Sequence, residues 1–296
     1  MESVWDVHGE DASPSSGADD GQGAHRPRPR TAGEYGPLPS TSRGEGGAGS
    51  DLDLLASEVP SDTLATVMLL RNRFPASLPM CPLVVASHIY SIVSDRTSVD
   101  RQLEELNRNK KIQIIRLASD RVDYGIVLWA DYTSLVNSCK EGKGKEWQDL
   151  LDWFVNRLVQ RVTHCYVDDC ELEKELRSFL RARGGDVGLH GDWVKRLVQS
   201  GLITRRMSVH GGYWFSVPNL GIFVKSLRAG RKRLAGILKR RKRCEILQWD
   251  LEKMKLPKTT LGMQYQLRDA IGSGLFEQIE TTCGPLLRLA NKTEKL

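Results

Sequence analysis

The chain has 296 residues with 43 Lys or Arg and 37 Asp or Glu, which gives a formal net charge of +6. The charge is uneven, because the first 50 residues carry four Arg and eight acidic residues whereas residues 51–296 carry 39 basic and 29 acidic ones, so the main part of the chain is expected to attract polyanions. We find no apolar signal segment, no uncharged apolar run of membrane-spanning length and no CxxC pair among the six cysteines, which predicts a soluble intracellular chain without membrane contact, disulfides or metal.

Residues 1–50 are rich in Gly, Ser, Pro and Asp and poor in large apolar side chains. Such a composition cannot bury enough apolar surface to offset chain entropy, so these residues are predicted to be a disordered tail. The tail contains GEGGAG at residues 44–49, which formally matches a nucleotide-binding GxGxxG. Because no strand pattern precedes it and no helix pattern follows it, we interpret the match as chance.

Residues 51–138 contain the first structured pattern. Apolar periodicity predicts a helix broken near Pro60, and a second helix over residues 82–93. Thr97 with Asp100 is close to a capping box and predicts the start of a third helix. IQIIRL at residues 112–117 and GIVLWADY at residues 125–132 predict two strands.

The order of three helices followed by two strands recurs over residues 145–219 and again over residues 220–296. This predicts an α+β, mainly α, fold class: three tandem winged-helix domains after the disordered tail. A single α+β domain with the same elements mixed is the alternative. The elements expected in these two repeats are helices at 146–162, 172–180, from Asp192 to 201, 220–242, 245–254 and 262–271, and strands at 202–207, 213–218, 275–280 and 285–290.

Residues 225–243, KSLRAGRKRLAGILKRRKR, include ten Lys or Arg and no acidic residue. Such a run neutralises phosphates along nucleic acid or is read as a nuclear import signal, whereas a merely solvated helix face usually carries both signs of charge. A helical wheel places a cationic stripe beside an apolar stripe, with Arg231 near the apolar one. The candidate DNA-binding residues of this run are Lys225, Arg228, Arg231, Lys232, Lys239, Arg240, Lys242 and Arg243.

The predicted third helix of each domain differs in charge. The first mixes acids and bases, which favours a structural role or contact with proteins. The second carries Lys195 and Arg196, and the strand after it adds Arg205 and Arg206 as candidate DNA-binding residues. Two interpretations stay open for that hairpin. Its arginines and Tyr213-Trp214 clamp a DNA backbone, or Trp214 and Phe215 belong to the core and the arginines only contact solvent.

Motifs for catalysis are missing from the sequence. Asp123-Tyr124-Gly125 is similar to the DFG of protein kinases, but no HRD precedes it, and neither a P-loop nor HExxH occurs. The spacing of His164, Cys165 and Cys170 fits no common zinc site. We therefore expect no catalytic residues, no cofactor and no metal.

The string VSDRTSVDRQLEELNRNKKIQIIRL at residues 93–117 closely resembles the serine/threonine-protein kinase 19 family of vertebrates. The segments SGLITRR, YWFSVPNLGIFVK, LGMQYQLRDAIG and ETTCGPLLRLAN continue the resemblance in the same order. It implies a catalytically inactive nuclear protein of three winged-helix domains that binds double-stranded DNA and acts in transcription-coupled nucleotide excision repair. The DNA contacts implied by the resemblance are Lys225, Arg231, Lys239, Arg240 and Lys242.

The partners implied by the resemblance are repair factors, stalled RNA polymerase II and transcription factor IIH. An active serine/threonine kinase is the alternative function, and a protein-interaction scaffold with an import signal is a second one. The assembly state stays open, with a homodimer on DNA as one option.

Overall fold

The computed structural model describes residues 61–117, 123–184, 190–207, 211–257 and 259–290. Helices predominate, and the strands of these ranges form three antiparallel sheets of three strands each. The architecture therefore agrees with the expected α+β, mainly α, class. The predicted disordered tail with its GEGGAG, and the expected helical turns before Pro60, lie outside the described residues.

The first segment, residues 61–128, builds one sheet and three helices. Strand β3 lies between the other two strands, with Ile126 opposite Val84 on one side and opposite Ile114 on the other. A further helix, α4, Trp129–Ser138, follows the sheet directly. The elements of the segment are α1 Asp62–Arg71, β1 Val84–Val85, α2 Ala86–Tyr90, α3 Arg96–Arg108, β2 Ile112–Arg116 and β3 Tyr124–Leu128.

The second segment, residues 145–217, has the same order of elements, and its last strand again lies in the middle of the sheet. The turn between its last two strands includes Gly211 and Gly212, which adopt φ values of 69° and 115° that favour glycine. The elements are α5 Lys145–Trp153 with a π-helical continuation Phe154–Val159, β4 Tyr166–Val167, α6 Asp169–Ala182, α7 His190–Gln199, β5 Ile203–Arg205 and β6 Tyr213–Phe215.

The third segment, residues 220–290, repeats the pattern once more, with the strand order β7-β9-β8. It begins with the longest of the described helices, which carries most of the basic run. The elements are α8 Leu220–Lys239, β7 Glu245–Leu247, α9 Gln248–Glu252, α10 Met263–Gly272, β8 Phe276–Thr281 and β9 Gly284–Leu289.

Two predicted helix starts are wrong. Helix α3 begins at Arg96, and the cap is Asp95, whose Oδ1 accepts a hydrogen bond of 3.1 Å from the backbone N–H of Ser98. Thr97 lies inside the helix, because the carboxylate two residues earlier already satisfies the first turn. Helix α7 begins at His190, so Asp192 lies in its first turn and is not its cap.

Other predicted bounds are wrong because tertiary contacts override the local pattern. GIVLWADY is not one strand: β3 ends at Leu128, and Tyr132 and Val136 are then buried at helical spacing in α4. Residues 82–93 contain the short strand β1 before a helix. Helix α8 ends at Lys239, not at residue 242, and Arg243 has a left-handed φ of 64° in the turn that follows.

The three segments share apolar contacts. One buried cluster contains Val85 of the first segment, Phe154 of the second and Phe223 of the third. In the first helix of the second segment, Leu150, Leu151, Phe154 and Leu158 are buried, whereas Trp147 is half-buried and donates its indole N–H to the carbonyl of Cys139. The described part is therefore one compact unit.

Helices α2 and α10 bring the first and third segments into close contact. A Cβ atom at Gly272 would lie 1.6 Å from the carbonyl oxygen of Ser87, so the approach requires glycine. Nη2 of Arg96 also donates a hydrogen bond of 3.0 Å to the carbonyl of Gly272. Because of this contact, the position of α10 depends on the first segment.

Candidate nucleic-acid interface

Helix α8 is anchored by its apolar side. Phe223 and Leu227 are buried in the cluster shared with the first two segments, and Leu234 and Leu238 are buried in the core of the third. At the start of the helix, Asn219 adopts a left-handed φ of 66° and donates a hydrogen bond of 2.7 Å to the carbonyl of Pro79. Burial along most of its length fixes which side of the helix faces solvent.

The cationic stripe of α8 faces solvent as predicted. Its members Lys225, Arg228, Lys232 and Lys239 are exposed, whereas Arg243, the fifth residue of the predicted stripe, lies beyond the end of the helix. The spacing of the four helical residues places them within about 60° of the helix circumference, over a length of about 21 Å between the first and the last. We call these four residues the basic face of α8. Arg240, Lys242 and Arg243 are also exposed, but they belong to the turn after the helix and extend the positive surface beyond its end.

Arg231 is a correction to the predicted DNA-binding set. It is 4% exposed, and its Nε and Nη2 donate hydrogen bonds of 2.6 and 2.8 Å to the two carboxylate oxygens of Asp269. Nη1 donates a third bond of 2.5 Å to Asp123. Burial alone would lower the pKa of Arg231, but these bonds and the attraction of both carboxylates raise it above its ordinary value. A residue so enclosed cannot contact DNA.

Lys195 and Arg196, two of the predicted DNA-binding residues, are exposed on α7. The ammonium of Lys195 lies 3.0 Å from a carboxylate oxygen of Asp192, and the guanidinium of Arg196 lies 5.0 Å from the ring centre of Trp193. Both contacts are at the surface, where ion pairs contribute little to stability. They leave the two cations at the solvent side of α7.

Arg205 and Arg206 are held by carboxylates at the start of α6. Arg205 donates two bonds of 2.9 Å to Asp169 and one of 2.7 Å to the hydroxyl of Tyr213, and these partners raise its pKa. Arg206 lies 3.1 Å from Asp168. Part of the positive charge of this hairpin is therefore neutralised within the molecule.

The hairpin aromatics were expected either to clamp DNA or to belong to the core, and the structure supports a different role for each of two residues. Phe215 is fully buried in the core, whereas Trp214 is only half-buried. The guanidinium carbons of Arg116 and Arg206 lie 4.8 and 5.1 Å from the ring centre of Trp214. Sequence reasoning missed Arg116, because nothing in strand IQIIR indicates that it reaches the hairpin of the second segment.

A groove of about 600 Å³ lies where these parts meet. It runs between the second hairpin and the first turns of α8, and Lys225 and Arg228 of the basic face belong to its lining. The groove extends the basic face toward the second segment. Its other lining residues are Arg116, Leu117, Gly201, Thr204, Arg205, Met207, Trp214, Ser216, Val217, Asn219, Leu220, Gly221 and Val224.

The residues of the DFG-like sequence make contacts within the fold, and the residues that resemble a zinc motif do not gather into a metal site among the described ranges. Asp123 pairs with Arg231, and a Cβ at Gly125 would lie 2.9 Å from side-chain atoms of Leu83 and Leu117. Within the described ranges, no three His, Cys, Asp or Glu side chains lie where they could hold a metal ion together. None of the helices in the same ranges combines the length and apolar character needed to cross a bilayer.

Comparison with known proteins identifies relatives. Winged helix repair factor 1 of Homo sapiens is 31% identical over 235 residues, which cover 78% of this chain and 86% of the human protein. The Mus musculus protein of the same name is 30% identical over 221 residues, covering 74% of this chain and 80% of its own length, and the Xenopus laevis protein is 29% identical over 226 residues, covering 74% and 78%.

A family model described as inactive serine-threonine protein kinase 19 matches residues 50–289. This match confirms the resemblance seen at residues 93–117, and the word inactive agrees with the expectation that the chain is not an enzyme. The family description therefore supports a non-enzyme over the kinase alternative. The chain belongs to the inactive serine-threonine protein kinase 19 family.

Proposed function

We propose that this chain is a non-catalytic DNA repair protein that binds duplex DNA through the basic face of α8 with little sequence preference. The observation that carries the proposal is the basic face itself, four exposed cations on one side of a helix whose other side is buried. Such an arrangement holds the charges in a row, which suits the regular spacing of phosphates along a duplex.

The proposal includes three tandem winged-helix domains, at residues 51–138, 145–219 and 220–296. Support comes from the repeated order of helix, strand, helix, helix and two strands, and from the central position of the last strand in each sheet. The names of the relatives point the same way. In a winged helix the two last strands form the wing, and the helix before them is the one that reads bases when the module reads bases.

Low sequence preference follows from which helix carries the charge. Helix α8 is the first helix of its domain, and its basic face offers only Lys and Arg. Contacts of these side chains with phosphates position a protein on DNA without reading its sequence. We propose Lys195, Arg196, Arg205 and Arg206 of the second domain as secondary phosphate contacts; the last two also pair with Asp169 and Asp168, so they contribute less charge than the basic face.

The cellular setting is proposed from the names of the relatives and from the family resemblance. We propose a nuclear protein that acts in transcription-coupled nucleotide excision repair, beside stalled RNA polymerase II and transcription factor IIH. A basic face without base readout suits this setting, because a lesion that stalls the polymerase can lie in any sequence.

The central test is DNA affinity of the full chain across a salt series. If about six cations contact phosphates, log K should fall with log salt at a slope of about −5. The triple variant Lys225→Glu, Lys232→Glu and Lys239→Glu should bind more than about a hundredfold more weakly and with a shallower slope. Its thermal transition should stay unchanged, because all three side chains are exposed.

A matched control separates the basic face from net charge alone. Arg101→Glu, Lys174→Glu and Lys255→Glu change the charge by the same amount at exposed positions elsewhere. This control should keep most of the affinity. Equal loss in both triple variants would contradict the site, and salt-insensitive or absent DNA binding by the wild type would favour the scaffold whose basic run serves only for nuclear import.

A further inference from the structure

The groove between the second hairpin and α8 differs in chemistry from the basic face that leads into it. Its lining includes the apolar residues Leu117, Val217, Leu220 and Val224. Its basic residues are Arg116, Lys225, Arg228 and Arg205, the last of which pairs with Asp169 outside the lining, and no described residue of the lining itself is acidic. A lining that combines apolar residues with cations suits a ligand that is both anionic and flat or apolar.

Groups on which a nucleobase stacks lie at this groove. Trp214 is half-buried in its wall, with the guanidinium of Arg116 4.8 Å from the ring centre. Unpaired bases stack on aromatic rings and on guanidinium planes, and this stacking tolerates any sequence. The volume of about 600 Å³ lies in the range of pockets that hold small ligands, and a nucleotide falls in that class.

The groove is continuous with the basic face, because Lys225 and Arg228 belong to both. A duplex that follows the face from Lys239 toward Lys225 therefore arrives at the opening of the groove. A paired base cannot enter, since its flat faces are covered by its neighbours in the stack, whereas an unpaired strand continuing from the duplex can.

Resting on the proposed duplex binding, we propose that this groove receives the unpaired strand where a duplex ends, so that the preferred ligand is DNA with a junction between double and single strands. The basic face holds the phosphates of the paired part. Trp214 and Arg116 provide the stacking surface for the first unpaired base. An acidic peptide could also satisfy the cations, but it would leave the continuity with the basic face unused.

The test compares a blunt duplex with the same duplex carrying a short single-stranded thymidine extension, each binding to the full chain. The wild type should bind the extended duplex about tenfold more tightly, as expected for stacking of one or two bases. Gly221→Trp should reduce this ratio to about one while keeping the affinity for the blunt duplex. Gly221 lines the groove, and a Cβ there meets nothing within 4 Å, so the position accepts a side chain, and the ring is expected to occlude the groove.

Gly236→Trp is the matched control. Gly236 lies on the same helix and is equally open to a Cβ atom, but it is not part of the groove lining. This variant should keep the wild-type ratio even if its affinity for both duplexes falls. A 2-aminopurine at the first unpaired position gives an independent signal, because stacking should quench its fluorescence with the wild type and with Gly236→Trp, and not with Gly221→Trp.

The outcomes separate the two proposals. A ratio of about one for the wild type, with normal salt-sensitive binding of the blunt duplex, overturns the groove inference and leaves the duplex function standing. A ratio that survives Gly221→Trp also overturns it, since the unpaired strand then binds elsewhere. Binding of a poly-glutamate peptide that Gly221→Trp abolishes, together with a ratio of one, makes the groove a peptide site. Absence of all DNA binding overturns both proposals.

Discussion

His88 is a titratable side chain held inside the molecule, 2% exposed, with its ring centre 4.3 Å from that of Tyr265. Its Nε2 has no hydrogen-bond partner among the described residues. Burial is the main cause that lowers the pKa of His88 to about 4, with nearby Arg268 and Arg231 acting in the same direction and Asp269 opposing them. The folded protein therefore keeps this ring neutral.

The sign of the pH effect follows from this lowered pKa. Between about pH 6.5 and pH 4 the unfolded chain binds a proton at His88 that the folded protein does not, so the free energy of unfolding falls as the pH falls. From pH 7 to pH 5 the wild type should lose about 2 kcal/mol more than His88→Phe in urea unfolding. Identical pH dependence of the wild type and His88→Phe would contradict this account.

For individual residues, sequence periodicity predicted well which side chains are exposed to solvent. It predicted poorly which side chains form ion pairs with each other. It placed Lys225, Lys232 and Lys239 on the solvent side of a helix, where they are. It also counted Arg231 as a DNA contact, although the wheel put that residue beside the apolar stripe. The partners that bury Arg231 lie 38 and 108 residues away in the chain, so no local pattern can reveal them.

The cap of α3 gives a test at the scale of one element. Asp95→Ala should lower the free energy of unfolding by about 1 kcal/mol, because it removes the acceptor for the backbone N–H of Ser98. Thr97→Ala, at the position that the sequence suggested as the cap, should change it by less than about 0.5 kcal/mol. Chemical denaturation of both variants measures the two changes in the free energy of unfolding. A larger loss of unfolding free energy in Thr97→Ala than in Asp95→Ala would mean that Thr97 is the cap, as the sequence suggested.

Elements with a clear local pattern could be predicted, whereas the short first strand of each sheet could not. Helices with a clear apolar side, such as α6 and α8, appear close to their expected positions. Strands β1, β4 and β7 have only two or three residues, and each exists because the central strand of its sheet pairs with it. Their pairing partners are distant in sequence, so the periodicity within a few residues carries no signal for them.

The buried Arg231 joins parts of the whole molecule, since it connects α8 with Asp269 of α10 and with Asp123 before β3. Arg231→Met should lower the free energy of unfolding by about 3–5 kcal/mol, because it leaves the fully buried carboxylate of Asp269 without its cation. Lys232→Met changes the exposed neighbour and should cost less than about 0.5 kcal/mol. Urea denaturation measures both, and a loss below about 1 kcal/mol for Arg231→Met would mean that the carboxylates find other partners.

The candidate site could be predicted in part at the scale of the whole molecule. The charge of residues 225–243 identified the basic face, but the groove is assembled from the first, second and third segments and has no linear signature. Arg116, more than a hundred residues before Lys225, lines the same groove. Only the packing of the segments brings such residues together.

The glycine contact between α2 and α10 also bears on how the chain reaches its native state. The ribosome releases the first segment well before the third. The surface around Ser87 therefore remains exposed to solvent until helix α10 has been synthesised. Closing so long a loop is slow compared with forming any single helix. The contact between α2 and α10 is therefore expected to be among the last to form during synthesis.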